Sequence, residues 1–444
     1  MNLPAQVLFC MKTLEKTGHA VYAVGGCVRD FLLHKIPSDY DLCTSASPEE
    51  TEQAFAGYPL VLAGKKHGTV GVILDENVTE ITTFRKDGSY TDSRRPDWVD
   101  FVPDIETDLA RRDFTVNAMA YSPSRGFCDP FGGREDLNAR ILRTVGDPAA
   151  RFREDPLRIL RGLRFALTYD LSPEEATLEA MLTMAPLLQK LAAERIWAEF
   201  SRILPRLTAE AFVTYEPILG AVIPELTDTF DYDQRNFHHH LTLDRHIAQV
   251  TAALPEDPAL RLAGLLHDIG KPACFFMDKE GVGHFWGHDT VSAEMADTIL
   301  RRLKVPNAIR EETVTLVQQH MTLIPPDKRV LRRRIGKFGE ETFRKMLILQ
   351  KADAMATTAN KENLCRFFDS LWKLLEEIQE EDACFKISDL AVDGNDLIKL
   401  GFRPGPGLGE ALNALLHLVQ NEEVPNEASA LKEAAAEILK EESL

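Results

Sequence analysis

Between Tyr22 and Asp104, short β-rich runs at Val61-Leu62, Thr69 to Leu74, Glu80 to Phe84 and Trp98 to Val102 alternate with Gly, Asp and Pro breaks. Runs of that length, punctuated by turn residues, predict a small mixed sheet. From about residue 154 the spacing changes. Leu157 to Ala166, Glu174 to Leu191, Ile247 to Ala253, Leu260 to His267 and Asn413 to Gln420 carry apolar residues three and four apart, which is the period of a helix packed on one face. The pattern predicts an α+β protein, with a small mixed-sheet head followed by a long all-α body. A chain of 444 residues exceeds what one hydrophobic core organises. The changes of pattern divide it into 1–145, 146–235, 236–360 and 361–444.

Composition narrows the setting. No apolar run approaches the roughly 18 residues needed to span a bilayer, so no membrane segment is expected. Met1 to Gly18 places Lys12, Glu15 and Lys16 among apolar residues, as an amphipathic helix does, and has no signal-peptide core. The seven cysteines are scattered and none forms a C-x-x-C pair, a usage that fits reduced thiols in a cytoplasmic protein. A formal charge of −18 argues against an RNA partner, because phosphate affinity comes from Lys and Arg. The charge is uneven, however. Basic residues gather at Arg94, Arg95, Arg111, Arg112 and from Arg151 to Arg164, while acid collects in the last 24 residues. A positive cleft on an acidic body remains open.

The candidate chemistry lies in the head and just after it. Val24-Gly25-Gly26-Cys27-Val28-Arg29-Asp30 sets paired glycines between an apolar strand and a helix start, where backbone N–H groups can approach a phosphate beside Arg29. Asp39-Tyr40-Asp41 follows. On a strand these carboxylates share a face, and two hard oxygen ligands suit Mg²⁺ bridging to a triphosphate; the alternative is a pair of turn residues after Pro37. A polar loop, Asp87 to Pro96, and a charged turn, Arg111-Arg112-Asp113-Phe114-Thr115-Val116-Asn117-Ala118, come next. Then Asp155 reads as an N-cap with Pro156 at the first helical position. Arg158, Arg161 and Arg164 form a basic stripe among apolar neighbours, as the wall of a polar groove would.

Taken in order, these motifs resemble the class II tRNA nucleotidyltransferases and bacterial poly(A) polymerases of the DNA polymerase β superfamily, over residues 20 to about 205. The resemblance implies that Asp39 and Asp41 are catalytic and hold two Mg²⁺ ions. It also implies that Gly26 and Arg29 hold the triphosphate, and that Arg112 and Asp113 fix ribose and phosphates. Asp155 and Arg158 would read the base, with Arg161 and Arg164 in support. An Asp/Arg pair can meet the Watson–Crick edge of cytosine or adenine by hydrogen-bond complementarity alone. By the same resemblance the loop from Asp87 to Pro96 favours full C-C-A addition from CTP and ATP to tRNA gripped at its acceptor and T-arm. A poly(A) polymerase or A-only adder is the alternative.

Farther along, His246, His267-Asp268, His284, His288, His320 and Asp353 are separated by spacings that successive helices of a bundle can converge on one or two ions. His238, His239 and His240 read as ordinary residues. The His-Asp step ending an apolar helix, Leu265-Leu266-His267-Asp268-Ile269-Gly270-Lys271, resembles HD-superfamily phosphohydrolases. We expect a divalent transition metal at His246, His267, Asp268 and Asp353, with His288 and His320 completing a second ion site. The resemblance allows hydrolysis of 2′,3′-cyclic or terminal phosphates at RNA ends, and a phosphohydrolase with an RNA-binding head is a further alternative. The Gly/Pro-broken segment around Gly401 to Gly409 resembles a terminal tRNA-binding segment; read alone, its glycines are helix caps.

Overall fold

The alternation near the N-terminus folds into a seven-stranded sheet in the computed structural model, which describes residues 1–75, 77–88, 98–236, 240–357, 361–380 and 385–441. The strands are β1 (Val21–Val24), β2 (Asp41–Thr44), β3 (Leu60–Val61), β4 (Thr69–Leu74), β5 (Asn77–Thr83), β6 (Arg85–Asp87), β7 (Val99–Phe101), β8 (Ala120–Ser122) and β9 (Gly126–Cys128). The sheet order is β3-β4-β5-β2-β1-β8-β9, with β6 and β7 forming a separate antiparallel ladder. Within the sheet β2 and β5 run parallel and the other pairs antiparallel. Val7, Cys10, Met11 and Leu14 are buried on the helix Ala5–Lys16, which packs on β1 and β5. Val24, Cys43, Phe84, Leu109, Ala118 and Ala120 belong to one continuous buried cluster.

One register matters most for the site. Val24, the last residue of β1, pairs with Asp41, the first of β2. The chain turns directly after Val24 through Gly25, at φ 70°, into the helix Gly26–Leu32. The glycine turn and the second aspartate of the D-x-D motif are thereby neighbours, although separated in sequence. Asp39 lies in the segment leading into β2, not on the strand itself. Strand pairing begins only at Asp41, so the shared-face argument applies to the approach of the chain and not to two strand residues.

The chain divides into two compact units, Met1–Leu207 with Thr214–Thr227, and Thr208–Val213 with Asp228–Leu444. The first holds the sheet and the helices Leu157–Tyr169 and Ala193–Ile203, which pack together. The helix expected to begin with Asp155 as cap begins instead at Leu157, with Pro156 in the cap position. Asp155 still serves it, since Oδ1 accepts from the Leu157 N–H at 3.1 Å. The run Glu174 to Leu191 is not one helix but two segments, Glu175–Thr183 and the 3₁₀ turn Ala185–Lys190. Pro186, which cannot donate to the preceding turn, marks the break.

The second unit is helical, with Leu243–Ala253, Pro258–Leu266, His288–Arg302, Asn307–Gln319 and Glu340–Thr357 packed on one another. Its last three helices, Gly394–Leu400, Pro406–Gln420 and Ala428–Glu441, enclose Leu397, Phe402, Leu415 and Leu431. Gly401, at φ 114°, ends the first of these and Gly405 precedes the second, so both act as caps. Six cysteines are free thiols; Cys384 lies outside the described residues. Among the described residues no helix is long and apolar enough to cross a membrane. Arg94, Arg95 and most of the loop Asp87 to Pro96 lie outside them too, as do His238 and His239.

Gly25 is the position where backbone freedom is indispensable. A Cβ there would sit 3.0 Å from Arg112 Nη1, on a backbone conformation that L-residues rarely adopt. Gly25→Ala is expected to cost about 1–3 kcal/mol in urea unfolding.

Candidate functional site

Register, glycine turn and helix together build a cleft of about 740 Å³. The nucleotide- and metal-site residues named from the sequence line it: Gly26, Arg29, Asp39, Asp41, Arg112, Asp113, Asp155, Arg158, Arg161 and Arg164. So do Arg111, Arg195 and Arg202, giving eight arginines against five aspartates. The positive cleft on an acidic chain is therefore real, and such a concentration of charge suits a polyphosphate.

Like charges so close together need fixed partners. Arg161 reaches Asp113 at 2.6 Å, Arg164 reaches Glu199 at 2.6 Å, and Arg195 reaches Asp155 at 3.0 Å. Arg158 is held by Glu154 at 3.0 Å and donates to the Arg111 carbonyl at 3.0 Å. Arg111 and Arg112 share the fully buried Asp108. Arg29 pairs with Asp30 at 2.8 Å and donates to Asn117, and its guanidinium lies 4.1 Å from the Tyr169 ring centroid. The guanidiniums of Arg29, Arg161 and Arg164 also approach the ring of Phe165, a contact that offsets part of their mutual repulsion.

Asp113 is buried, with Oδ1 accepting from the Phe114 N–H and the Asn117 amide and Oδ2 taken by Arg161. Burial raises its pKa, but Arg161 and Arg158 outweigh this and bring the carboxyl down to about 2. Asp39 and Asp41 differ from their neighbours. Among the described residues they are the two cleft aspartates with no arginine ion pair. Burial against the cleft wall, then Asp39 and Glu80, push the Asp41 carboxyl upward, with Arg112 opposing. Two adjoining carboxylates without an arginine ion pair make the place in this cleft that fits a cation.

Asp108, Glu199 and Arg195 were not read from the sequence. Asp108 stands three and four residues before Arg111 and Arg112 on a helical turn, a spacing that could have shown it. Arg195 and Glu199 meet Asp155 and Arg164 across 40 and 35 residues, and no local pattern carries that.

The second unit gathers its own cluster. His246, His267 and Asp268 offer ligand atoms within 4.8 Å of one another, as do Asp268, His288 and His320. Asp268 belongs to both sets: Oδ2 lies 3.2 Å from His246 and 3.3 Å from His267, and Oδ1 lies 3.1 Å from His288 and 3.7 Å from His320. Asp353 joins the first set, 3.1 Å from His246. The Nδ1 atoms of His267, His288 and His320 face the carbonyls of Gly264, Phe285 and Val317. Carbonyls only accept, so each Nδ1 carries the proton and Nε2 presents its lone pair in the neutral ring. The Nε2 atoms then face each other, His246 to His267 at 3.1 Å and His288 to His320 at 3.2 Å.

Burial lowers the His246 pKa, but Asp268 and Asp353 prevail and push it up to about 9. Asp268 Oδ2 is buried with no aligned hydrogen-bond donor, although Lys271 Nζ stands 2.6 Å away as an ion pair. The opposed lone pairs of His288 and His320 and the unaligned carboxylate oxygen of Asp268 fit cations better than they fit one another. His284 stands apart, donating to Asp278 at 2.7 Å.

Comparison with known proteins agrees with the cleft. A model of the poly(A) polymerase head domain matches residues 21–143, and one described as the RNA- and SrmB-binding site of polymerase A matches 170–214. A third, described as tRNA nucleotidyltransferase domain 2, matches 287–435. The CCA-adding enzyme of Levilactobacillus brevis is 33% identical over 429 residues, 96% of each chain. That of Streptococcus suis is 47% identical over 206 residues, 46% of this chain, and the match spans about half of that relative. The crystal structure of the Bacillus stearothermophilus CCA-adding enzyme in complex with CTP superposes with a TM-score of 0.73 at 29% identity, covering 100% of this chain and 99% of that one. Fold and cleft thus define a nucleotidyltransferase with a poly(A) polymerase-type head. The chain belongs to the bacterial, class II family of CCA-adding tRNA nucleotidyltransferases.

The Asp113–Arg161 pair yields a pH signature. A carboxyl held at about 2 when folded and about 3.9 when unfolded contributes stability above pH 4, which is lost as pH falls toward 2. Asp113→Asn is expected to destabilise by about 2 kcal/mol at pH 7, discounted because Arg161 is one-third exposed. The deficit relative to wild type should shrink below pH 4 in denaturant titrations.

Proposed function

We propose that this chain adds C, C and A in turn from CTP and ATP to the 3′ end of tRNA, without a nucleic-acid template. The observation that carries the reading is the pair Asp39 and Asp41, left without arginine partners in a cleft of eight arginines. These two aspartates would hold Mg²⁺, which when bound activates the RNA 3′-hydroxyl and neutralises charge on the leaving pyrophosphate. Arg29, oriented by Asp30, Asn117 and Tyr169, and the turn at Gly26 would receive the triphosphate. Arg112, fixed by Asp108, would contact ribose and phosphates. Asp113 acts by holding Arg161.

Asp155 and Arg158 would read the base edge. Each is already oriented, Asp155 by Arg195 and the Leu157 N–H, Arg158 by Glu154 and a backbone carbonyl. Such prior orientation limits the ordering cost when the base arrives. UTP and GTP present mismatched donors and acceptors, leaving these groups unpaired against the base. The helical segments after residue 146, including those from 361 onward, would grip the acceptor and T-arm by shape.

A second reading concerns the His/Asp cluster and rests on its opposed Nε2 atoms. We infer an HD-type site for two divalent transition-metal ions, His246, His267, Asp268 and Asp353 holding one and Asp268, His288 and His320 the other. When bound, such ions would supply the Lewis-acid chemistry for hydrolysis of cyclic or terminal phosphates at RNA ends.

Asp39→Ala and Asp41→Ala are each expected to abolish addition while leaving circular dichroism unchanged; addition by both variants would remove the metal assignment. Because the Asp41 carboxyl is pushed up when folded, its charge is penalised at neutral pH and the penalty vanishes at low pH. Mg²⁺ should therefore stabilise the wild type, by about 2.7 kcal/mol at a hundred times its Kd, and Asp41→Asn should remove most of that shift. For the second site, elemental analysis should find two transition-metal ions per chain, one in His288→Ala and none in Asp268→Ala. Phosphate release from 3′-phosphorylated RNA without added nucleotides should fall with metal content.

A further inference from the structure

Beside the His/Asp cluster lies a cavity of about 840 Å³ whose lining includes Asp268, Lys271, His284, Trp286 and Asp353, a size suited to a small organic ligand. At this cavity three rings form a panel that the chemistry assigned so far leaves unused. Phe276 and His284 are cross-strand partners in the hairpin Phe276–Met277 and Gly283–His284, and Trp286 follows His284 by two residues. The ring planes lie within 28° to 30° of one another, with centroids 5.2 to 6.4 Å apart. The Asp278 carboxylate fixes the panel, accepting from His284 at 2.7 Å and from the Val282 N–H at 2.8 Å. Yet Trp286 is 76% exposed and Phe276 52%. A rigid, near-parallel aromatic surface left open to solvent is what a flat ligand stacks upon.

Charge specifies the rest of the ligand. The cavity lining carries three aspartates, Asp268, Asp289 and Asp353, and a single lysine, Lys271. Without metal this surface repels a phosphate; with divalent ions at the histidines it attracts one. We propose that Trp286, backed by His284 and Phe276, is a base-stacking platform that makes the second site selective for phosphorylated nucleoside ends over phosphate alone. The proposal rests on the two-metal reading of that cluster. Phosphate would face Asp268 and the metal ligands, and the terminal base would lie on the open face of Trp286. Stacking on one aromatic face is worth roughly five- to a hundredfold in affinity and tolerates any base, which suits the varied nucleotides at damaged or unfinished RNA ends.

The experiment is equilibrium dialysis of metal-loaded protein with adenosine 3′-phosphorothioate, a slowly hydrolysed probe, and separately with inorganic phosphate. Second-site binding is defined as the component lost in Asp268→Ala, which removes the contribution of the arginine cleft. Trp286→Ala should weaken the nucleotide about tenfold or more and leave inorganic phosphate unchanged. Trp286→Phe should bind the nucleotide within about threefold of wild type, and wild-type tryptophan fluorescence should be quenched by a nucleotide component absent from both variants. Equal nucleotide affinity in wild type and Trp286→Ala, with two ions per chain confirmed in each, would overturn the platform while leaving the metal site standing. Absence of bound metal in the wild type would overturn both.

Discussion

Assembling eight arginines around one cleft is the constraint on which the first unit depends. Without a bound polyphosphate these side chains repel one another, and the fold restrains them through specific partners. The pair of buried Asp113 with partly exposed Arg161 is the most consequential, because it ties the head's charged turn to the helix Leu157–Tyr169. Asp108 does the same for Arg111 and Arg112, Glu199 for Arg164, and the rings of Phe165 and Tyr169 take up what the carboxylates do not. Arginine suits this arrangement better than lysine, since its planar fork can serve a structural partner and still present donors to a ligand. Against that background the two unpaired aspartates acquire their meaning.

The second unit solves a related problem with histidine. A buried imidazole whose Nδ1 is committed to a carbonyl has one orientation and one lone pair to offer. Three such rings, with His246 and the shared Asp268, point inward from different helices. Buried polar groups in an arrangement this unfavourable to themselves are an indication of what they are built to bind. The two units therefore present different ligand environments, hard carboxylate oxygen in one and imidazole in the other, which suits them to different ions.

Much of this was legible in the sequence, for identifiable reasons. Each motif of the head combines residues close in sequence with a turn or period that places them, so Gly26, Arg29, Asp41, Arg158, Arg161 and Arg164 could be assigned to one cleft. The break at Pro186 is not in that reading, because the apolar period runs through it from Glu174 to Leu191. What local pattern cannot carry is the partner of each charge. Asp155 is held by Arg195 and Arg164 by Glu199 through tertiary packing alone. Strand and turn both stay open for Asp39 in the sequence because alternation does not mark where pairing begins, and the ladder starts at Asp41. The aromatic panel escaped notice because Phe276, His284 and Trp286 look like scattered residues until the hairpin stacks them.

The most direct measurement of the central claim is extension of tRNA lacking its CCA end by the purified protein with Mg²⁺, read at single-nucleotide resolution. CTP alone should add two residues and stop, ATP alone should add none, and the two together should add three and stop. Extended tailing of arbitrary RNA with ATP alone would contradict the account and assign the cleft to a poly(A) polymerase.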